Sequence, residues 1–290
     1  MRYLKDNKIE AILRCPICKG NMSVDNNGNA VLCCDGQKKH SYDFSSRGYI
    51  NFAPPGHTNS GDSKQAVVAR TDFLNLQLYR PVAVALRDAI RKHSKGDILV
   101  DAGCGEGYYS VLLAEGGYSI FGIDLSKFAV DAASKRANMS NIENAFFAVS
   151  SVYNIPVADS SVNAVVNVFA PCVEEEYMRV LDDDGILAVA YAGPKHLMGL
   201  KKAIYKQTHS NEEREDLPKC AELVEKIEVD FEIELESNAD IKNLFAMTPY
   251  YWKTSKEDFE KLESISSLKT EIDVIIAIYK KSNEDIMRLL

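Results

Sequence analysis

Residues 98–109 constrain this 290-residue chain more than any other stretch. Ile98, Leu99 and Val100 read as the end of a buried strand. Gly103, Gly105 and Gly107 alternate through a tight turn, and Tyr108 opens a helix. Glycine is needed where backbone must approach a ligand with no Cβ in the way. A helix start adds free N–H groups and the positive end of a dipole. About 20 residues on, Ser119 to Asp124 reads as a second strand ending in a carboxylate, which can accept both hydroxyl hydrogens of a ribose. A turn that only joins strand to helix would not need that acidic strand end.

The dinucleotide fingerprint is G-x-G-x-x-G. Here the run is G-x-G-x-G, preceded by Asp101. The D-x-G-x-G-x-G spacing resembles motif I of class I S-adenosylmethionine (SAM) methyltransferases. Beyond this loop the chain alternates strand and helix, as a mostly parallel sheet requires. Strands are expected at 145–149, 164–169 and 186–191, with helices between them and Ser126 as an N-cap. Ser150 and Ser151 close the third strand, where a hydroxyl can face an adenine edge or cap a helix. Ile155 to Val162 resembles the run before strand four of many SAM methyltransferases. "RVLDDDGILAVAY" resembles a second such run, with Asp182 to Gly185 read as a turn. Ile227 to Leu235 and Thr270 to Tyr279 are the remaining expected strands.

The first 53 residues read differently. Cys15-Pro16-Ile17-Cys18 is a C-x2-C knuckle, followed by Cys33-Cys34 and then His40. Tetrahedral zinc takes four such N/S ligands, paired at short spacing. The polar segment between the pairs holds few apolar residues, Val24, Val31 and Leu32 among them, enough for a small hairpin. So small a core cannot hold a fold unaided, and a metal would supply the missing free energy. Cys15, Cys18, Cys34 and His40 are the expected ligands. Neighbours on a strand face opposite ways, so only one of Cys33 and Cys34 can serve.

Charge is unevenly spread. Residues 1–95 carry 15 Lys/Arg against 8 Asp/Glu, a surplus of seven. The net charge of −8 therefore leaves a deficit of fifteen on the rest. A basic front half can present a phosphate footprint even on an acidic protein. The seven cysteines are odd in number and clustered, which argues against a disulfide framework. No apolar run is long enough to span a membrane, and the first residues lack a signal core, so the expectation is a cytoplasmic protein with no membrane partner. Residues 54–70 lack periodicity and read as a flexible linker. Helical spacing begins near Thr71 and is interrupted at Pro81.

Further strings come in a fixed order: "HSYDFSSRGYINF", a "GDS" loop, "LYRP", "DAGCGEGYYS", "APC" and "GPKHLMGLKKAIY". With the knuckle ahead of them, they resemble the guanine-N1 methyltransferases of bacterial 23S ribosomal RNA, the RlmA-type family. The resemblance covers nearly the whole chain. It implies a Rossmann-like α/β fold with a mostly parallel seven-stranded sheet and a small N-terminal zinc-binding domain. Its divisions are 1–53 for zinc and RNA recognition, 54–70 for the linker and 71–290 for the SAM-dependent domain. It implies zinc on the knuckle, with two more residues between Cys34 and His40 than the shortest family pattern has. It implies SAM contacts at Tyr79, Gly105, Glu106 and His196, beside Asp101 and Gly103 from motif I and Asp124 from the end of the second strand. It also implies 23S rRNA as substrate and a homodimer.

No spacing marks the base that removes the guanine N1 proton. Phe169 and Glu174, beside the loop after strand four, are the weak candidates for work on the substrate. Two rivals share parts of these features: a small-molecule methyltransferase, which leaves the knuckle unexplained, and a non-catalytic zinc/RNA-binding protein, against which Asp101, the glycines and Asp124 speak.

Overall fold

The computed structural model describes residues 4–25, 31–53, 61–212, 214–215, 217–219, 221–251 and 254–281. Helix α1 (Asn7–Ile12) is N-capped by Asp6, whose carboxylate accepts the Lys8 N–H at 2.9 Å. Strands β1 (Met22–Asp25), β2 (Val31–Cys34) and β3 (Ser41–Asp43) form a small antiparallel sheet. The expected hairpin is its first two strands.

Strand β4 (Ile50–Asn51) then leaves that sheet, and β5 (Ile98–Ala102), β6 (Ser119–Asp124) and β7 (Ala145–Val149) follow it in the main one. β8 (Val162–Val168), β9 (Leu181–Ala192), β10 (Glu222–Leu235) and β11 (Leu268–Lys280) complete it. The order is β10-β11-β9-β8-β5-β6-β7-β4, and only β11 runs against the rest. Among the described residues eight strands replace the seven expected. The extra one is β4, which pairs in parallel with β7, Ile50 opposite Ala148. It covers what would otherwise be an open edge.

After edge strand β4 the chain enters the middle of this sheet at β5, runs outward through β6 and β7, and returns to β8 on the other side of β5. That reversal opens a crevice beyond the carboxyl ends of β5 and β8, the usual binding place in such sheets. Successive residues of β5 feed opposite layers. Leu99 joins Val82, Leu86 and Ile90 of α3 (Arg80–His93), while Val100 joins Phe121 and Val165 on the other face. Ile9, Leu13, Leu32 and Phe52 belong to that second cluster, so the apolar core does not break at residue 53. Main-chain bonds add to this join: the Arg14 N–H donates to the Pro156 carbonyl and the Ala158 N–H to that of Ile12, both at 2.9 Å.

Other expectations shift. Residues 54–60 of the expected linker lie outside the described residues, and 64–70 belong to α2 (Lys64–Asn75), capped by Ser63. Gln77, with φ +62°, separates α2 from α3, and Pro81 sits in the first turn of α3. Asp182 to Gly185 are part of β9 and not a separate turn. Pairing jumps from Val162–Leu181 to Ala164–Ile186, and the acidic residues bulge outward. Helices α4 (Tyr108–Glu115), α5 (Lys127–Met139), α6 (Glu174–Val180) and α7 (Met198–Ile204) fill the connections as expected. Helices α8 (Asn238–Ala246) and α9 (Lys256–Glu263) lie between β10 and β11 in the chain. No helix among the described residues is long and apolar enough to cross a membrane.

Candidate active site and metal centre

The knuckle side chains converge. One ligand atom from each of Cys15, Cys18, Cys34 and His40 lies within 4.8 Å of all the others. His40 Nδ1 is 3.6 Å from the Cys15 sulfur and 3.5 Å from that of Cys34, which is itself 3.5 Å from Cys18. Four donors about 2.3 Å from a common ion would be spaced much like this. Cys15 is fixed by the turn that follows α1, where its N–H reaches the Gly20 carbonyl at 2.9 Å. Burial opposes ionisation of Cys34, but N–H groups of His40 and Gly36 outweigh it and bring the thiol to about 6. A Cβ at Gly36 would lie 2.8 Å from the Cys18 sulfur, so a glycine is needed for the sulfurs to close up. Cys33 is not in the cluster and pairs across the strands with Ser23 and Ser41. The donor set suits zinc.

At the carboxyl end of β5, Gly103, Gly105 and Gly107 all have left-handed backbone, with φ of +84°, +55° and +81°. A side chain at Gly103 would collide with the Ala170 methyl at 2.6 Å, and one at Gly107 with Ala133 at 2.8 Å. The Gly105 N–H donates to Asp124 at 3.1 Å and the Ser126 N–H to its other oxygen at 2.8 Å. Burial raises Asp124, against those two bonds. Burial pushes Asp101 up to about 7, with Asp124 and Glu106 adding to it, while a hydrogen bond from Ser110 pulls it down. The buried hydroxyls of Tyr108 and Tyr109 have no hydrogen-bond partner among the described residues. Bare backbone, buried acid groups and orphaned hydroxyls fit a cationic, polar ligand such as SAM.

Three distant segments meet beside this loop. The Tyr79 hydroxyl lies 3.3 Å from His196 Nε2. The Asp273 N–H donates to His196 Nδ1 at 3.2 Å, so the neutral ring carries its proton on Nε2 and donates it to Tyr79. Burial, then the Lys201 charge, lower His196 to about 4, against the Asp273 bond, and the ring is neutral at pH 7. Phe169 stacks on its face, centroids 5.7 Å apart. Phe169 is 45% exposed and has φ +52°, unusual for a bulky residue. The loop behind it is tied down. Buried Asn167 and the Tyr177 hydroxyl both donate to the Pro171 carbonyl, and Arg214 donates to that of Ala170.

Two sequence candidates are differently engaged. Glu106 is 2% exposed and its carboxylate is clasped by Arg136, Nε at 2.7 Å, so only its backbone is left to face a ligand. Glu174, a candidate for proton removal, accepts the N–H groups of Lys219 and Ala221 at 3.0 Å each. It holds that segment and is not aimed at Phe169. Sequence reasoning misses Asp62 and Arg70, which are ion-paired at 2.5 Å against the Gly-rich loop. In sequence "GDS" reads only as a loop, and a lone Arg on a helix carries no signal.

The methyltransferase domain family matches residues 93–248. A Bacillus subtilis protein, YxjB, provisionally named a 23S rRNA (guanine-N(1)-)-methyltransferase, is 27% identical over 93% of this chain and 98% of its own. A Micromonospora griseorubida protein with the same provisional name is 30% identical over 65% of this chain and 68% of its own. The 23S rRNA (guanine(748)-N(1))-methyltransferase of Streptomyces fradiae is 29% identical over 66% and 67%. The glycine loop, the acidic end of β6 and the strand reversal are thus those of a class I SAM-dependent methyltransferase, and the chain belongs to the 23S rRNA (guanine-N1)-methyltransferase family.

Proposed function

We propose that this protein transfers a methyl group from SAM to N1 of a guanine in a hairpin of 23S rRNA. The observation that carries the reading is Phe169, a half-exposed ring pinned beside the glycine loop at the carboxyl end of β8. A flat aromatic face suits an unstacked nucleobase, and flipping a loop base costs only a few kcal/mol. The relatives' names supply the acceptor atom and the RNA.

Bound SAM would supply a methyl group already activated by its sulfonium, leaving the protein to position the partners. Asp124 would take the ribose hydroxyls, and Gly103 and Gly105 would let the backbone approach. Asp101, the Glu106 backbone, Tyr79 and His196 would line the rest of the cleft. The Asp273 N–H holds the His196 tautomer, which leaves the Tyr79 hydroxyl hydrogen free to donate to a ligand. Phe169 and the backbone of Ala170 and Pro171, anchored through its carbonyls, would hold the guanine edge-on to the methyl donor.

Zinc on Cys15, Cys18, Cys34 and His40 would keep residues 1–53 folded as the RNA-recognition part, gripping phosphates with little base preference. Residues 71–290, with α2, would carry SAM. We extend the proposal to a homodimer in the cytoplasm; light scattering checks the first. Incubation of purified protein with labelled SAM and unmodified ribosomal RNA tests the function. Label is expected in 23S rRNA and not in 16S rRNA; label in neither would sink it.

A further inference from the structure

The cleft is crowded with acids. Asp62, Asp101, Glu106 and Asp124 all lie around one glycine loop. Such a site welcomes the sulfonium and ammonium of SAM but repels its carboxylate, which needs a cation of its own. Two guanidinium groups are near. Arg136 is committed: Nε and one terminal nitrogen hold Glu106, and the other donates to Asn75 at 3.0 Å.

Arg70 is placed differently. One terminal nitrogen pairs with Asp62 at 2.5 Å. The other lies 3.3 Å from where a Cβ of Gly105 would be, directly over the bare loop. Its charge favours the ionised forms of both Glu106 and Asp124, against the larger effect of their burial. Asp62 is itself anchored, its carbonyl accepting the Ser126 hydroxyl at 2.7 Å. Gly61, with φ +83°, brings that loop to within a Cβ's width of the Ser126 backbone.

We propose that Arg70 is the carboxylate anchor of the cofactor cleft, held ready by Asp62 and turned to the amino-acid end of the bound cofactor. The proposal rests on the SAM reading of the cleft. A planar guanidinium with one nitrogen already engaged offers the other as a charge-assisted donor, and the carboxylate is its natural partner. In the empty cleft Asp62 keeps the side chain from collapsing onto Asp124. In the filled cleft Arg70 balances the charge that the acids cannot.

Two ligands separate this role from a merely structural one. S-adenosylhomocysteine carries the amino-acid end, and 5′-methylthioadenosine lacks it. Isothermal titration of wild type and Arg70→Gln with both is the test. Arg70→Gln is expected to weaken S-adenosylhomocysteine ten- to hundredfold and to change 5′-methylthioadenosine by less than twofold. Equal weakening of both would make Arg70 a support for α2, and no weakening of either would make it irrelevant; each overturns the proposal. If Arg70→Gln does not fold, Arg70→Lys carries the test, with the same selectivity in smaller measure. Wild type that binds S-adenosylhomocysteine no more tightly than 5′-methylthioadenosine contradicts the anchor and leaves the cleft's reading standing. Wild type that binds neither contradicts that reading itself, and the anchor with it.

Discussion

The knuckle and the cofactor cleft solve the same problem, bringing polar atoms together inside a protein, by opposite means. The knuckle draws its four donors from 26 consecutive residues, Cys15 to His40, and turns of a few residues aim them. The cleft draws Tyr79, Gly105, Asp124, Phe169 and His196 from five segments, and only the sheet makes them neighbours. Removing a knuckle ligand should therefore collapse its surroundings, whereas removing a cleft side chain should leave the fold and change binding. The shared apolar layer of Ile9, Leu13, Leu32, Val100 and Phe121 ties the two together. Deleting residues 1–53 would strip that layer and β4, so point substitutions separate the regions more cleanly.

The largest effect is expected at the knuckle. Cys34→Ser should take zinc from about one per chain to none, at a local folding cost of roughly 10 kcal/mol. Elemental analysis and a lowered melting temperature read it. Cys33→Ser should keep the metal; metal loss in Cys33→Ser alone would reverse the choice of thiol. Next is Gly105→Val, which places a branched side chain at φ +55° against Arg70. Binding of SAM should fall by about 3 kcal/mol or more, and the strained backbone should cost about 1–3 kcal/mol of stability, read as a lowered melting temperature. Unchanged affinity by calorimetry would remove the glycine loop from the site.

A smaller effect separates cofactor from substrate. Phe169→Ala should leave SAM affinity unchanged and cost about 1–3 kcal/mol in kcat/KM for RNA, the scale of base stacking. A loss of SAM affinity instead would assign Phe169 to the cofactor.

The smallest is a pH effect. Asp101 is raised to about 7 in the folded protein, from 3.8, by burial and then by its acidic neighbours. The native state thus holds a proton that the unfolded state has lost, and Asp101 makes stability fall as pH rises from about 4 to 7. Cationic SAM favours the ionised acid, so affinity should rise with pH by at most about tenfold per unit and level off above pH 7. Asp101→Asn should flatten the profile measured by calorimetry between pH 5.5 and 8.5. A wild-type profile already flat would contradict the protonated acid.

Legibility in the sequence follows the same division. The knuckle is readable because its ligand spacing is set by local geometry, and alternation along β2 separates Cys34 from Cys33. The glycine loop and Asp124 are readable because a turn and a strand end are local too. Strand β4 is not, since two residues carry no periodicity and its partner β7 lies about a hundred residues away. The engagement of Glu106 by Arg136 and of Glu174 by residues 219 and 221 is long-range, and nothing in either neighbourhood announces it. Tyr79 and His196 are reached by resemblance alone.

The most direct test of the account maps the product. Unmodified 23S rRNA is incubated with the protein and labelled SAM, digested to nucleosides, and the labelled one identified and located. The expected product is 1-methylguanosine from a single hairpin. Label in 7-methylguanosine, or in any base other than guanine, would contradict it.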